Sequence, residues 1–323
     1  MKSKRFAKAL KVILICLLSI VVLIVSVLWF GTVTVYKENF DIRITSSEKN
    51  RHYVSEYEGL SRTQYQFKSN KGQILTGYLY SSKKAPDGVS PKALVVMAHG
   101  FGGGGHTTYM DFIEYFARKG FLVFAYDATG NDESQGLGKN DGVGGLPQGV
   151  IDLNYAISFV EKSGNFPELP IVLCGHSWGG YSVVDVLNYH PEVKAVAEIA
   201  GFVSSGDMFL SEGKNMAGDA VYAIMPFFYI HEFFKYGKYS FSTGVKGIKK
   251  SDARVMVIHG TKDDMVPVEY GYDIYYKAFK DTPRVSFMLY EDMAHDDILR
   301  SKEKNSPNTQ LLDTIIKMFE EVI

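Results

Sequence analysis

The sequence predicts an α/β fold in which helices flank a mostly parallel β-sheet. Short, continuous apolar runs, such as residues 93–98 and 121–126, have the length and composition of strands buried on both faces. Segments with the apolar spacing of helices alternate with these runs, an order typical of parallel sheets. The chain has 323 residues, of which 46% are hydrophobic and 22% charged, so it is long enough for one large α/β domain and an appendage.

The predicted elements follow one another from residue 62 onwards. Residues 63–80 are predicted to form a strand pair that turns at residues 69–72, and residues 81–91, rich in Ser, Lys and Pro, to form a loop. The alternation then predicts strands at residues 93–98, 121–126, 170–174, 193–199, 254–258 and 285–290, and helices at residues 109–119, 146–162, 179–189, 268–279 and 309–322.

One segment interrupts this alternation. Residues 204–250 lie between two predicted strands and are too many for a simple connection, so we predict an inserted helical cap there. Such a cap would set the size and polarity of any ligand. Its aromatic side chains either pack the cap onto the sheet or line an apolar acyl pocket, and the sequence leaves both open. These aromatic residues are Tyr222, Phe227, Phe228, Tyr229, Phe233, Phe234, Tyr236, Tyr239 and Phe241.

The N-terminal residues have the pattern of a membrane anchor. Residues 1–11 contain five basic side chains and no acidic one. Residues 12–30 carry no charge, and as a helix they would span about 28 Å, close to the thickness of the hydrocarbon core of a bilayer. We therefore predict a transmembrane helix over residues 12–30 that contacts the lipid bilayer.

Two kinds of membrane segment fit such a run. A cleaved signal peptide has a shorter apolar region that ends in a small-x-small site, and VLWFGT at residues 27–32 lacks that site, which favours an uncleaved signal anchor. The residues beyond the run are balanced in charge. The positive-inside rule then places residues 1–11 in the cytoplasm as a basic tail and the main domain outside the cell membrane. Residues 31–61 are polar and mixed in charge, which predicts a tether with little structure.

Charge and cysteine content argue against other classes of protein. The chain has 35 basic and 36 acidic residues, a net charge of −1, and so lacks the basic field that nucleic-acid binding needs. Cys16 and Cys174 lie far apart in apolar runs, which predicts neither a disulfide framework nor a cysteine zinc site. His and Cys do not cluster with metal-ligand spacing, so we expect no metal and no organic cofactor. The sequence indicates no particular protein partner.

The strongest chemical motif is GHSWGG at residues 175–180, which places Ser177 between a predicted strand and a predicted helix. G-x-S-x-G alone is a loose pattern, but the strand–turn–helix context is the one that a nucleophile elbow requires. The tight turn exposes the hydroxyl at the carboxyl end of the sheet, and the N-terminus of the next helix favours developing negative charge. The motif therefore predicts Ser177 as a nucleophile.

A serine nucleophile needs a general base and an acid that orients the base. His295 follows the last predicted strand, and the preceding strand is followed by HGTKDDMVP at residues 259–267. That segment offers both Asp263 and Asp264, and the residues alone do not separate them.

An oxyanion hole is the third requirement of this chemistry. HGFGGGG at residues 99–105 follows a predicted strand, and its glycines allow backbone N–H groups to approach a substrate oxygen. We expect the donors to be the amides of Phe101 and Trp178.

From about residue 62 onwards, the chain resembles the α/β-hydrolases, and within them the monoacylglycerol lipase and serine-aminopeptidase-like group of serine hydrolases. The resemblance rests on the joint order of motifs at residues 99–102, 175–179, 259–267 and 294–295. It implies an α/β-hydrolase domain over residues 62–323, with the cap at about 204–250. In the H-G-x-x-D-x-x-V-P pattern of this group the acid falls at Asp263, so the resemblance selects Asp263 over Asp264.

Two departures from the family pattern are visible. The loop after the fourth strand often reads Asp-x-x-Gly-x-Gly-x-Ser, whereas DATGNDES at residues 127–134 has Asp132 at the second glycine. Ala294 stands before His295, where glycine is common. Because that loop is structural in relatives, the first departure leaves the catalytic assignment unchanged.

The resemblance implies two-step acyl transfer without a metal or cofactor. The leading hypothesis is an esterase or lipase-like hydrolase that acts on small to medium apolar esters or amides. The second is a serine peptidase of the aminopeptidase type, which would need an acidic group for a free amino terminus; the cap offers Glu212, Asp219 and Glu232. The third is a non-catalytic binding protein on the same fold, against which the complete triad argues.

Overall fold

An eight-stranded sheet forms the centre of the computed structural model, which describes residues 2–86, 88, 90–301 and 306–323. Residue 1 of the predicted basic tail and residues 87 and 89 of the predicted loop lie outside the described residues. The strand order is β1-β2-β4-β3-β5-β6-β7-β8. The strands are β1 (Leu60–Lys68), β2 (Ile74–Ser82), β3 (Leu94–Ala98), β4 (Leu122–Tyr126), β5 (Ile171–His176), β6 (Ala195–Ile199), β7 (Arg254–Gly260) and β8 (Val285–Tyr290).

Most of the strand pairs in this sheet are parallel. β1 pairs antiparallel with β2, and β2 with β4, whereas the pairs from β4 through β3 to β8 are parallel. The register sets Ala98 beside Gly175 and Gly260 beside Tyr290. The loops after β3, β5, β7 and β8 therefore leave from the same edge, where open α/β sheets bind their ligands.

Helices cover both faces of the sheet, so the predicted fold class is confirmed. Buried side chains of α3, α4, α7 and α8 pack on one face, and those of α2 and α9 pack on the other. The predicted helix at 268–279 is interrupted at Gly271, before which residues Val268–Tyr270 form a 3-10 turn. The helices are α1 (Lys2–Phe40), α2 (Met110–Arg118), α3 (Leu146–Lys162), α4 (Trp178–Asp185), α5 (Ser205–Ala217), α6 (Val221–Tyr236), α7 (Gly244–Lys250), α8 (Tyr272–Phe279) and α9 (Thr309–Glu320).

The segment predicted as a cap contains α5, α6 and α7. Hydroxyl side chains define where two of these helices begin: Ser204 Oγ accepts from the N–H of Asp207, and Thr243 Oγ1 accepts from the N–H of Lys246. α5 packs against α6, whereas α7 packs against α4. The last part of the predicted cap is thus attached to the body of the domain.

The N-terminal helix is longer than predicted. It continues to Phe40, so the prediction of a tether with little structure is wrong for residues 31–40. Thr32, Tyr36 and Phe40 recur every four residues on one face; Thr32 and Tyr36 are buried and Phe40 partly so. This face stabilises the helix because α1 packs against α6. Beyond the helix, Ile44 and Ser46 are also buried against the domain.

The first part of α1 is different, because most of its apolar side chains face outwards. Between residues 12 and 30 these side chains are largely exposed, and the helix is long and apolar enough to cross a membrane. A helix that is apolar around its circumference needs an apolar environment, which a bilayer provides.

A buried carboxyl lies where α1 meets the cap. Tyr36, which is 1% exposed, donates from its hydroxyl to Glu232 Oε1 at 3.2 Å, and Ser205 Oγ donates to Glu232 Oε2 at 2.6 Å. The ring of Tyr36 also contacts His231, at 4.7 Å between centroids. Burial raises the pKa of Glu232 to about 8, although the two hydrogen bonds and the charge of Lys235 oppose the shift.

We expect Glu232→Gln to stabilise the protein more at pH 9 than at pH 6. The pKa of Glu232 is higher in the folded chain than its ordinary value of 4.5. The contribution of Glu232 to the free energy of unfolding is therefore complete below pH 4.5 and is lost as the pH rises through about 8. Glutamine does not ionise; like a protonated carboxyl, it accepts from one hydroxyl through its oxygen and donates to the other through its NH2 group. A gain on the order of 1 kcal/mol would raise the midpoint of thermal unfolding by roughly 2–4 °C.

Thermal unfolding of the detergent-solubilised full chain at both pH values measures this effect. Glu212→Gln, which changes an exposed carboxyl of the same cap, is the matched control and should show no pH-dependent difference. Equal destabilisation of Glu232→Gln at pH 6 and pH 9 would contradict the prediction.

Candidate active site

Ser177 lies in a tight turn between β5 and α4. Its backbone has φ 57° and ψ −118°, a conformation that residues other than glycine rarely adopt. Two glycines make the turn possible: a Cβ at Gly175 would lie 2.3 Å from the carbonyl oxygen of Gly179, and a Cβ at Gly179 would lie 2.1 Å from that of Ala98. Ser177 is partly exposed, whereas Trp178 is buried. The turn thus keeps Ser177 accessible at the carboxyl edge of the sheet.

His295 and Asp263 come together from the loops after β8 and β7. His295 Nδ1 lies 2.7 Å from Asp263 Oδ2, and both residues are buried. Asp264, in contrast, is exposed to solvent. The structure therefore brings to His295 the aspartate that the resemblance selects.

Asp263 has several hydrogen-bond donors around its carboxylate. The N–H groups of Val266 and Met265 donate to Oδ1 at 2.8 and 3.1 Å, while His295 and His259 lie against Oδ2. Burial alone would raise the pKa of Asp263, but the hydrogen bonds from His259 and His295 outweigh burial and lower the pKa. Asp263 is therefore an ionised carboxylate at neutral pH.

His259 is a member of this group that the sequence analysis did not single out. Its Nε2 lies 2.8 Å from the carbonyl oxygen of Val266 and 3.2 Å from Asp263 Oδ2, so Nε2 carries a proton and donates. Burial would lower the pKa of His259, but the hydrogen bond with Asp263 and the charge of the buried Glu198 raise it. The four-residue spacing of His259 and Asp263 in the HGTKD motif was the available signal.

A second missed pair, Tyr109 and His176, links the loops around Ser177. The N–H of Gly100 donates to the hydroxyl of Tyr109 at 3.1 Å, and that hydroxyl donates to His176 Nδ1 at 2.9 Å. His176 Nε2 in turn donates to the carbonyl oxygen of His295 at 3.2 Å. Burial is the main cause, and the charge of His295 the second, that lowers the pKa of His176 to about 3. The His176 ring that links these hydrogen bonds is therefore neutral.

The rings of the same loops pack closely. The ring centroids of His176 and His295 are 4.7 Å apart. Because His176 directly precedes Ser177 in the chain, this contact holds the loop of His295 beside the serine turn. No motif in the sequence indicated this contact, because it depends on how two separate loops fold.

The glycine loop, residues 99–105, reaches the other side of Ser177. A Cβ at Gly100 would lie only 3.4 Å from the Cβ of Ser177. The rings of Phe101 and Trp178 meet edge to face at 5.6 Å, and the indole of Trp178 donates to the carbonyl oxygen of Leu146 at 2.8 Å. Trp178 is the first residue of α4, so its backbone N–H has no acceptor inside the helix. The two residues predicted to donate to an oxyanion are thus neighbours.

The cap aromatics form three groups that differ in burial. Phe228 and Tyr236 are buried, and Phe228 stacks on Phe209 at 4.0 Å between centroids. These rings hold the cap together. A second group is exposed, although Phe233 contacts the rings of Phe234 and Phe241; it comprises Tyr222, Phe233, Phe234 and Phe241. The remaining three, Phe227, Tyr229 and Tyr239, are partly buried.

Two groups of possible metal ligands occur among the described residues, and in each a histidine has both ring nitrogens in hydrogen bonds. One combines His176 and His295 with Asp296, but both nitrogens of His176 are hydrogen bonded, as described above. The other contains His190, whose Nδ1 and Nε2 contact Glu192 and Asn154. Neither arrangement presents a set of free ligand atoms.

The chain is similar to several known proteins in sequence. The family model described as "Serine aminopeptidase, S33" matches residues 89–232. Rat (Rattus norvegicus) monoglyceride lipase is 36% identical over 104 residues, which are 32% of this chain and 32% of the lipase. The uncharacterized protein YfhR of Escherichia coli K12 is 22% identical over 254 residues, or 78% of this chain and 79% of YfhR. The match to the lipase thus spans about a third of that relative's length.

Solved structures share the fold over most of this chain. The Pyrococcus furiosus esterase Pf2001 superimposes with a TM-score of 0.63 at 15% identity, over 87% of this chain and 98% of the esterase. The Pyrococcus horikoshii acylaminoacyl peptidase gives a TM-score of 0.58 at 17% identity, over 83% of this chain and 43% of the peptidase. The chain therefore has the fold shared by these hydrolases.

We expect Asp263→Asn to be far more damaging to any hydrolysis than Asp264→Asn. An amide at position 263 cannot hold His295 in the required tautomer, a change that costs about 10⁴ in kcat in a comparable triad. Asp264 is exposed, and its replacement should leave kcat nearly unchanged. Steady-state kinetics of both variants on a chromogenic ester measure the difference, and a larger loss at Asp264 would contradict the geometry.

Proposed function

We propose that this α/β-hydrolase, which resembles the monoacylglycerol lipase and serine-aminopeptidase-like group, is a membrane-anchored serine hydrolase that cleaves carboxylic esters. Ser177 is the nucleophile, His295 the general base and Asp263 the acid that orients the base. The observation that carries the proposal is the 2.7 Å contact between His295 Nδ1 and Asp263 Oδ2, next to the turn that exposes Ser177. Substrates are small to medium apolar esters or amides.

The mechanism is acyl transfer in two steps. With Nδ1–H donating to Asp263, neutral His295 has its lone pair on Nε2 and takes the Ser177 proton as the oxygen attacks the substrate carbonyl. The ionised Asp263 stabilises the imidazolium that forms. The amides of Phe101 and Trp178 stabilise the oxyanion. The imidazolium gives its proton to the departing alcohol oxygen as the ester C–O bond breaks, which leaves the acyl group on Ser177. Neutral His295 then takes a proton from water, whose attack releases the acid and restores the Ser177 hydroxyl.

The cap carboxyls favour an ester over a peptide with a free amino terminus. An aminopeptidase needs an accessible acidic group that binds the substrate ammonium. Glu232 is fully buried and bonded to Tyr36 and Ser205, while Glu212 and Asp219 lie on the exposed surface of the cap. The "Serine aminopeptidase, S33" family match keeps peptide cleavage as the second candidate.

Anchoring through residues 12–30 is the other half of the proposal. The exposed apolar side chains of this part of α1 support it, as do the basic residues that precede it. The positive-inside rule gives a cytoplasmic N-terminus and a hydrolase domain outside the membrane.

We expect Ser177→Ala to abolish ester hydrolysis and labelling by a fluorophosphonate probe. Removal of the nucleophile from a comparable triad lowers kcat by about 10⁶. The small rate acceleration that remains comes from the oxyanion hole and substrate binding. The control is Ser81→Ala, which removes an exposed hydroxyl on β2 and should keep full activity.

Two results would contradict this assignment. Continued labelling of Ser177→Ala would show that another residue is the nucleophile. Labelling of the unaltered chain together with cleavage of aminoacyl amides, but not of esters, would favour the peptidase.

We expect the mature protein to keep residues 12–30 and to expose its hydrolase domain outside the cell. Protease added to intact cells should then digest the domain, while residues 1–11 become accessible only after permeabilisation. Mass spectrometry of the mature N-terminus is the second measurement. A mature chain that starts near residue 31, or a domain protected in intact cells, would contradict one part of the topology.

A further inference from the structure

The segment between α1 and β1 contacts the glycine loop directly. The N–H of Gly105 donates to Ser46 Oγ at 3.2 Å, and a Cβ at Gly104 would lie 1.9 Å from the same oxygen. At the other end of the glycine run, Phe40 packs edge to face on Phe101 with ring centroids 5.8 Å apart. Four consecutive glycines have no side chains to hold the loop, so these outside contacts restrain it.

Asp132 joins the two segments. Its carboxylate accepts hydrogen bonds from the N–H of Gly105 at 2.9 Å, from the N–H of Ser46 at 2.6 Å and from Ser46 Oγ at 2.5 Å. The side chain is 4% exposed, and Arg51 lies 3.4 Å from it. A buried carboxylate is thus bonded to both the glycine loop and the segment after α1.

Asp132 also occupies the position at which the chain departs from the Asp-x-x-Gly-x-Gly-x-Ser pattern. Its φ of 34° lies in the region that glycine adopts readily and that aspartate tolerates. A glycine here would keep the backbone conformation but would remove every side-chain acceptor. The departure from the pattern therefore supplies the carboxylate that the glycine loop uses.

We propose that Asp132 and Ser46 are positioning residues for the reaction, which hold the glycine loop so that the Phe101 amide is aligned with the oxyanion. The inference rests on the proposed function, because it requires this amide to be an oxyanion donor. Such donors lower the barrier only when they are fixed before the reaction, and loss of one costs about 10²–10³ in kcat in a comparable enzyme. Misalignment of the loop should cost less than loss of a donor.

The test compares Asp132→Gly with Asp141→Gly in the detergent-solubilised full chain. Asp141 is a matched control, since it has a positive φ of 52° and its carboxylate also binds a backbone N–H, that of Gly136, and an arginine, Arg43. Asp132→Gly should lower kcat about 10-fold to 100-fold with little change in KM. Asp141→Gly should leave both constants near those of the unaltered chain.

A transition-state analogue separates positioning from folding. A trifluoromethyl ketone forms an oxyanion at the serine, so its Ki should rise in Asp132→Gly by the same factor as kcat/KM falls. Titration with a fluorophosphonate counts the active sites. Asp132 would have a merely structural role if Asp132→Gly had fewer titratable active sites but an unchanged kcat per active site and an unchanged Ki. That result would overturn the inference.

Ser46→Ala keeps the test decisive if Asp132→Gly does not fold. It removes one hydroxyl and leaves the backbone bond to Asp132, so kcat should fall about threefold to tenfold with a parallel rise in Ki. This inference alone would be overturned if the unaltered chain hydrolysed esters and neither Ser46→Ala nor Asp132→Gly changed kcat. A chain that neither hydrolyses esters nor is labelled at Ser177 would overturn the proposed function and this inference with it.

Discussion

The parallel pairing of β3, β5, β6, β7 and β8 is the constraint on which the candidate site depends. Parallel strands end at one edge, so loops that are distant in sequence meet there. Hydrogen bonds then run from Gly100 through Tyr109 and His176 to the loop of His295, and they enclose the serine turn. The sheet brings the loops together, and buried polar contacts between them fix their positions.

Local patterns in the sequence were sufficient for the strands and for the serine turn. Each buried strand is a short apolar run, and the turn has its own glycine spacing, so both follow from neighbouring residues. The link between Tyr109 and His176 could not be predicted in this way, because it joins two loops whose conformations are set by the whole fold. The course of residues 31–40 was missed for a related reason: a polar tether and a helix with one apolar face differ mainly in whether a partner such as α6 covers that face.

The continuation of α1 onto the cap changes how the proposed anchor relates to the domain. A tether would leave the domain free to turn, whereas Tyr36 is buried and bonded to Glu232 of α6. A buried carboxyl that loses its hydrogen-bond donor bears a desolvation cost of about 1–3 kcal/mol or more. Removal of α1 through Tyr36 would therefore affect the cap as well as the anchor. Residues 12–30, if they cross a bilayer as proposed, set the orientation of the cap relative to that bilayer.

The glycine loop must satisfy two opposing requirements. In the proposed mechanism its backbone approaches a substrate oxygen closely, which favours glycine, yet a run of glycines loses much conformational entropy when it is ordered. Carboxylates on the neighbouring loop offset this cost: Asp127 accepts from the N–H of His106 at 2.9 Å, and Asp132 accepts from that of Gly105. Because Asp132 also binds Ser46, the order of the glycine loop depends on residues N-terminal to the first strand. The segment after α1 is thus a structural part of the domain that carries the candidate site, and that domain begins before residue 62.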